Sequence, residues 1–231
     1  MTRFLLALLG FVTLAVGPAA AQAPAPRPAP GDKPAAASPS PTALITMEKG
    51  GEIVLEFFPQ DAPKHVENFV KLVNQKFYDG QRVHRVEPNF VVQFGDPQSK
   101  TLPLDDPKMG SGGPGYTIKD DPLNGTYHRG TVAMARTGQP DSQGSQFFIV
   151  LSDDANAALT DPQNAPYPYA ILGEVTSGMD VADTIAAMPN SGANSGNQAL
   201  DPVVMTSVTV ADAPASSASP AATSAAPAAS Q

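Results

Sequence analysis

The sequence predicts a mainly β fold, a closed antiparallel barrel of eight strands capped by two α-helices. Eight short segments alternate apolar and polar residues with a period of two, which is typical of strands with one buried face. Residues that favour turns separate most of these segments, and two longer segments carry apolar residues at helical spacing. Many short strands between turns, together with two helices, indicate a barrel.

The first 21 residues have the features of a secretory signal peptide. Arg3 supplies a positive start, Phe4 to Val16 form an apolar run, and Ala19 to Ala21 provide the small residues that a signal peptidase prefers. We expect cleavage after Ala21, with an uncleaved membrane anchor as the alternative. The run is shorter than the ~20 apolar residues of a comfortable membrane span. The sequence therefore predicts an exported protein of the periplasm or cell envelope, or a secreted one.

Two further segments are predicted to be disordered. Residues 22–42 form a linker rich in Pro and Ala, and residues 212–231 form a tail of mainly Ala, Ser, Thr and Pro. Such segments bury too little apolar surface to offset the entropy of ordering them. The remaining residues, 43–211, have a length that suits one compact domain.

The domain begins with a predicted β-hairpin and a predicted helix. Strands at residues 44–47 and 53–57 flank a Lys-Gly-Gly sequence that is typical of a turn. A helix is expected over residues 62–75, because Asp61 can cap it, Pro63 suits its first turn and an apolar stripe follows.

The other predicted elements follow from the same patterns. Val181, Ile185 and Met188 indicate the second helix, which ends before Pro189. The remaining strands are expected at residues 83–86, 90–94, 131–135, 146–151, 170–174 and 203–210.

The composition excludes several classes of function. The chain has no cysteine, so disulfides, thiolate nucleophiles and cysteine-bound metals are excluded. A formal net charge of -8 and a pI near 4.7 argue against a nucleic-acid partner, which needs clustered Lys and Arg. The three histidines lack the spacing of metal ligands. We therefore expect neither a metal nor another cofactor.

Three polar residues are interpreted as structural. His65 is expected to be solvated in the first turns of its helix, and His84 is expected to be packed inside the barrel. Ser145 follows a glycine, but the chain lacks the G-x-S-x-G sequence of a hydrolase nucleophile.

A glycine-rich segment, GSGGPGYT at residues 110–117, nearly matches a phosphate-binding loop. Tyr116 stands where that loop requires a lysine. The glycines are therefore interpreted as permitting positive φ in a long surface loop.

Strand alternation places four side chains on the outer face of the predicted barrel. Arg85 and Gln93 share one orientation in their strands, and Gln146 and Phe148 share one in theirs. This face is either a solvated outer wall or a peptide-binding groove. Phe148 favours the groove, because an exposed aromatic ring is costly without a partner.

Two long motifs resemble the signatures of the cyclophilins. Residues 83–96, VHRVEPNFVVQFGD, are similar to the first signature, and residues 130–136, GTVAMAR, with 144–149, GSQFFI, are similar to the second. Residues 110–119 also resemble a loop that is common in bacterial members of this family. The similarity runs in the expected order from about Ala43 to Ala211.

This resemblance implies a cyclophilin-like barrel with peptidyl-prolyl cis-trans isomerase activity. It makes Arg85 the catalytic guanidinium and Gln93 a second catalytic residue that hydrogen-bonds the substrate backbone. The substrate-binding residues implied by the resemblance are Phe90, Val91, Met134, Ala135, Arg136, Gln146, Phe148, Leu159 and Tyr169.

The motifs depart from the family at the edge of the implied pocket. Val91 replaces a frequent Met and Tyr169 a frequent His, while Ala158 stands where the family often has Trp or another aromatic residue. A shorter and stiffer Val91 is expected to make the pocket less adaptable.

The expected function is isomerisation of X-Pro bonds during the folding of exported proteins. The expected partners are proline-containing polypeptides, and the enzyme is expected to be a monomer that contacts neither nucleic acid nor, after signal cleavage, a membrane. A binding module or chaperone on the same fold without turnover is the first alternative. A structural envelope protein is the second.

Overall fold

Eight strands form one antiparallel sheet. Along each strand, successive side chains alternate between a face buried in the core and the opposite face. The computed structural model describes residues 40–163 and 165–211. The predicted signal peptide, most of the linker and the tail lie outside these residues. The first strand begins at Thr42.

The strands and helices fall close to the predicted segments. The strands are β1 Thr42–Met47, β2 Glu52–Phe57, β3 Arg85–Glu87, β4 Val91–Phe94, β5 Thr131–Met134, β6 Phe147–Val150, β7 Ile171–Ser177 and β8 Met205–Ala211. The helices are α1 Pro63–Asn74, α2 Ala155–Thr160 and α3 Met179–Ala186, with short 3-10 turns at Pro97–Lys100 and Ala193–Ser195. No helix in the described ranges combines the length and apolarity needed to cross a membrane.

The sheet is an open half-barrel, so the predicted closure is not observed. Its strand order is β3-β4-β6-β5-β7-β2-β1-β8, with β3 and β8 at the two edges. The outer edge of β3 pairs with irregular chain instead of β8, since Arg85 bridges Gln198 and the Val86 amide donates to the Asn197 carbonyl at 2.8 Å. This segment protects the edge without extending the ladder.

Aromatic residues fill the concave side of the sheet. The centroid of the Phe69 ring in α1 lies 4.8 Å from that of Tyr78, 5.2 Å from that of Phe147 and 5.3 Å from that of Phe57. Phe94 stacks on Phe147 with ring centroids 5.1 Å apart. All five side chains are fully buried. Helix α1 thus closes the core through one central ring.

A second apolar cluster covers the opposite face of β4, β5 and β6. Its buried members are Val91, Tyr127, Ala133, Phe148, Val150, Ala155, Leu159 and Ile171. Ala155 and Leu159 come from α2, a third helix that was not predicted. With six residues, α2 is too short to show a repeating helical pattern in the sequence.

A distant carboxylate, and not Asp61, caps helix α1. The N-cap residue is Ala62, which makes no side-chain cap. Asp121 Oδ2 accepts from the backbone amides of Lys64 at 2.9 Å and His65 at 3.1 Å, and it lies 2.8 Å from His65 Nδ1. The expectation of a solvated His65 is therefore wrong, because this side chain is fully buried.

His84 is buried inside the domain, as predicted from its orientation opposite to Arg85. Burial lowers the pKa of His84 to about 4, although the nearby Asp96 carboxylate opposes that shift. Burial also lowers the pKa of His65, against the raising effect of its hydrogen bond to Asp121.

We expect the free energy of unfolding to fall as the pH drops from 6.5 to about 4, the interval between the ordinary and the lowered pKa of His84. The unfolded chain binds the proton at the higher pH, so acid favours unfolding. A shift of this size is worth roughly 3 kcal/mol. His65 acts in the same direction. Urea unfolding at a series of pH values measures the loss.

The variant His84→Gln should reduce this pH dependence, whereas His128→Gln, at an exposed histidine, should leave it intact. An unchanged pH dependence in the His84 variant would contradict the assignment.

Candidate active site

A row of opposed residues crosses four strands on the outer face of the sheet. Arg85 on β3 lies opposite Gln93 on β4. Phe148 on β6 lies opposite Gln93 on one side and Ala133 of β5 on the other. Directly opposed residues of an antiparallel pair project from the same face. The register therefore brings a cation, an amide and an aromatic ring side by side.

A cavity of about 220 Å³ opens over this row. It is lined by Arg85, Phe90, Val91, Gln93, Ala135, Arg136, Phe148, Leu159 and Tyr169. The rings of Phe148 and Tyr169 meet edge to face, with centroids 5.3 Å apart. Phe148 is buried, because α2 and the neighbouring strands pack around it. The lining of the cavity thus combines apolar residues with two cationic residues and an amide.

Two predicted site residues lie elsewhere. Met134 pairs with Phe147 on the inner face of the sheet and is fully buried in the core. Its side chain therefore does not line the cavity. Gln146 precedes β6 and lines a neighbouring cavity.

The guanidinium of Arg85 lies at the rim of the cavity. Its Nη2 donates to Glu87 Oε2, two residues along the same strand. The guanidinium carbon is 5.9 Å from the centroid of the Phe90 ring. The Arg85 side chain is 31% exposed, so part of the cation remains open to solvent and to a ligand.

A chain of amide hydrogen bonds fixes the orientation of Gln93. Gln146 Nε2 donates to the carbonyls of Gly110 and Gly112, both at 2.8 Å. Its Oε1 is thereby turned to accept from Gln93 Nε2, also at 2.8 Å. Gln93 Oε1 has no hydrogen-bond partner within residues 40–163 and 165–211. The free oxygen can accept a hydrogen bond from a ligand.

The glycine-rich loop is tied to a fully buried carboxylate. Asp96 Oδ2 accepts from the amides of Gly110 at 2.6 Å and Gly112 at 3.3 Å. A Cβ atom at Gly112 would overlap Asp96 Oδ1, so a larger residue would displace the carboxylate. Gly110 has a φ of +85°, as expected for a positive-φ loop. These glycines let the backbone approach Asp96 closely.

A second cavity of about 350 Å³ lies beside the first. Gln93, Ala135 and Arg136 line both cavities. The rest of its wall comes from the glycine-rich loop, from Thr137 and Ser142, and from residues 144–146. A ligand in the first cavity can therefore extend into the second along Ala135 and Arg136.

Tyr127 supports the far wall of the first cavity and was missed in the sequence. Its hydroxyl donates to the Tyr169 carbonyl at 2.8 Å and accepts from the Tyr169 amide at 2.9 Å. Burial raises the pKa of Tyr127 to about 12, despite the hydrogen bond to Tyr169. Tyr127 lies in irregular chain, where neither period two nor helical spacing marks a buried residue.

No cluster of three or more His, Asp or Glu side chains suited to a metal occurs in the described ranges. The polar residues that line the first cavity are two arginines, Arg85 and Arg136, with Gln93 and Tyr169, and the remaining lining residues are apolar.

Comparison with known proteins identifies the family. The family model for cyclophilin type peptidyl-prolyl cis-trans isomerase/CLD matches residues 42–210. The chain is 40% identical over 144 residues to a peptidyl-prolyl cis-trans isomerase of Acinetobacter baylyi, covering 61% of this chain and 70% of the relative. It is 38% identical over 152 residues to peptidyl-prolyl cis-trans isomerase B of Bacillus subtilis, covering 63% of this chain and 90% of the relative.

Solved structures show the same fold. A cyclophilin type peptidyl-prolyl cis-trans isomerase of Cryptosporidium parvum aligns with a TM-score of 0.61 and 25% identity, over 76% of this chain and 99% of that one. A structure of the same Cryptosporidium parvum protein in the presence of the dipeptide Ala-Pro aligns with a TM-score of 0.59 and 24% identity, over 74% of this chain and 98% of that one.

We expect Tyr127→Phe to lower the free energy of unfolding by about 1 to 3 kcal/mol, because the backbone amide and carbonyl of Tyr169 lose their shared partner in a buried site. Urea unfolding measures this change. Tyr167→Phe, at a more exposed tyrosine, is the matched control and should cost less. Equal stability of Tyr127→Phe and the wild type would show that the hydroxyl does not hold the wall.

Proposed function

The chain belongs to the cyclophilin-type peptidyl-prolyl cis-trans isomerases, and from this premise we propose that Arg85 catalyses the isomerisation in the 220 Å³ cavity. The observation that carries the proposal is the row in which Arg85, Gln93 and Phe148 stand side by side on three paired strands. The pairing of these three strands thus places three groups together. They are a cation for the reacting bond, an acceptor for the substrate backbone and an apolar surface for the proline ring.

The reaction needs no nucleophile and no metal. Rotation about an X-Pro bond breaks the amide resonance, which costs ~18 to 20 kcal/mol at the barrier. No bond between heavy atoms is cleaved. The catalyst therefore has to bind the twisted state more tightly than either planar state.

Arg85 supplies the differential binding. In the twisted state the proline nitrogen becomes pyramidal and gains a lone pair, which a guanidinium can stabilise by donating a hydrogen bond. The ion pair with Glu87 occupies Nη2 and restrains the side chain, while the other N–H groups of the fork stay available. The partial exposure of Arg85 allows a substrate to approach them.

The apolar side of the cavity holds the proline ring. Phe90, Val91, Phe148 and Leu159 offer a concave apolar surface, and Tyr169 closes it edge to face against Phe148. A ring held there fixes one side of the rotating bond. Gln93 Oε1, oriented through Gln146, accepts from the substrate backbone on the held side.

The residue before proline lies along Ala135 and Arg136 in this proposal, because these residues line both cavities. The preceding residues of the substrate enter the second cavity. The rotating bond is then placed between a substrate segment in the second cavity and a proline ring in the first.

The setting of the reaction is the folding of exported proteins. The features of residues 1–21 support export, since a positive start, an apolar run and small residues at the end occur together. Isomerisation uses no ATP, so it suits a compartment outside the cytosol.

We expect Arg85→Ala to lower the rate of catalysed exchange by roughly 10²- to 10³-fold, as for removal of one preorganised donor worth ~3 kcal/mol. NMR exchange measurements on a short Ala-Pro peptide give the rate, and circular dichroism checks the fold. Arg129→Ala is the matched control, because Arg129 pairs with Asp183 at 2.6 Å and does not line the cavity.

Near-normal exchange in the Arg85 variant would contradict the catalytic assignment. A wild-type protein that binds the peptide without accelerating exchange would instead be a binding module.

We expect the mature protein from a secreting bacterial host to begin at Gln22. N-terminal sequencing and the intact mass measure the cleavage site. Ala21→Phe should block processing, because signal peptidase accepts small residues there, whereas Ala35→Phe, in the linker, should not. A full-length wild-type protein retained in the membrane would favour the uncleaved anchor.

A further inference from the structure

Arg136 has a cationic side chain that is turned away from solvent. Its guanidinium donates to the Pro168 carbonyl at 3.0 Å, the Gln139 carbonyl at 2.6 Å and the Thr137 carbonyl at 3.3 Å. It also lies 4.9 Å from the centroid of the Tyr167 ring. The side chain is only 2% exposed. A buried guanidinium needs a counter-charge as well as neutral acceptors.

Asp120 supplies that counter-charge and binds two further groups. Its Oδ2 accepts from Arg136 Nη1 at 2.9 Å and from the Asp141 amide at 3.1 Å, and its Oδ1 accepts from Gln143 Nε2 at 3.0 Å. The Asp120 amide in turn donates to Asp141 Oδ1 at 2.9 Å. One carboxylate thus joins Arg136 to the C-terminal end of the 137–143 segment.

These contacts surround the junction of the two cavities. Arg136 lines both cavities, and Thr137 and Ser142 line the second. Asp120 lines neither. It therefore acts on a ligand only through the residues it holds.

We propose that Asp120 is a positioning residue that fixes the Arg136 side chain and the 137–143 segment. It thereby keeps the second cavity aligned with the first cavity, here called the proline cavity because it is the proposed site of the proline ring. Its effect falls on substrates that span the junction. Arg85 is held independently, by the β3–β4 pairing, and keeps its place when Asp120 is changed. This inference rests on the proposed function, since it takes the second cavity as the site of residues preceding X-Pro.

Two blocked peptides separate positioning from general stability. Acetyl-Ala-Pro-amide reaches only the proline cavity and the junction, whereas acetyl-Ala-Ala-Ala-Pro-amide adds two residues toward the second cavity. We expect Asp120→Ala to weaken binding of the longer peptide about tenfold and that of the shorter one less than about twofold, since misplacement of a positioning element is costly. NMR titration gives both affinities, and exchange at saturation should stay within about twofold of the wild type.

Asp120→Asn provides the conservative comparison. Its amide oxygen can still accept from Arg136 and from the Asp141 amide, while its NH₂ group can donate to Gln143 Oε1, which is buried without a partner in the described residues. We expect an intermediate loss for the longer peptide. Asp201→Ala removes an exposed acid that pairs with Lys49 at 2.7 Å, and it should change neither affinity.

Asp120→Ala leaves the buried Arg136 guanidinium without its counter-charge, and this variant could unfold for that reason alone. The double variant Asp120→Ala/Arg136→Met removes the buried charge as well and therefore serves as the second test. It should fold and still lose the preference for the longer peptide. Equal weakening of both peptides, or no weakening, would overturn the inference. A folded wild type that binds neither peptide would refute the proposed function instead.

Discussion

The register of β4 against β6 is the constraint on which the site depends. It sets Gln93 opposite Phe148 and, one residue along, Phe94 opposite Phe147. Consecutive residues of a strand face opposite sides, so Phe147 stacks on Phe94 inside the core while Phe148 lines the outer cavity. A slip by one residue would exchange the two rings between the faces, and the inner aromatic core excludes it. The packing that stabilises the fold therefore also fixes the positions of the groups that are proposed to act on the substrate.

The paired strands fix the positions of one row of side chains. Around this row, buried or partly buried carboxylates hold the segments that lie outside helices and strands. Asp96 holds the glycine-rich loop, Asp121 caps α1, and Asp120 holds Arg136 with the 137–143 segment. Each accepts from at least one backbone amide, which is an interaction that an ionised carboxylate makes strongly. Part of the acidic composition thus serves internal structure, in segments where no ladder satisfies the backbone.

The sequence predicted those features that depend on local periodicity or on long ordered motifs. The β1–β2 hairpin, helix α1 and the facing of Arg85 with Gln93 follow from spacing alone. The cap at Asp121 could not be predicted this way, because it joins residues 56 and 57 positions apart in the chain. The burial of His65 depends on that same distant carboxylate. Met134 was assigned through a motif match, but its neighbour Ala133 is the residue of that strand that faces outward.

In the proposed mechanism, the two sides of the rotating bond need different mechanical properties. On the held side, Gln93 is joined through Gln146 to the glycine-rich loop, and the loop is joined to a buried carboxylate, so the acceptor is preorganised. Arg85, which is proposed to donate to the proline nitrogen, is restrained by Glu87 but partly exposed. We propose that the rigid acceptor and the accessible cation allow one flank of the substrate to stay fixed while the other turns. In the proposed mechanism, preferential binding of the twisted state follows from geometry, without any change in protonation or covalent bonding.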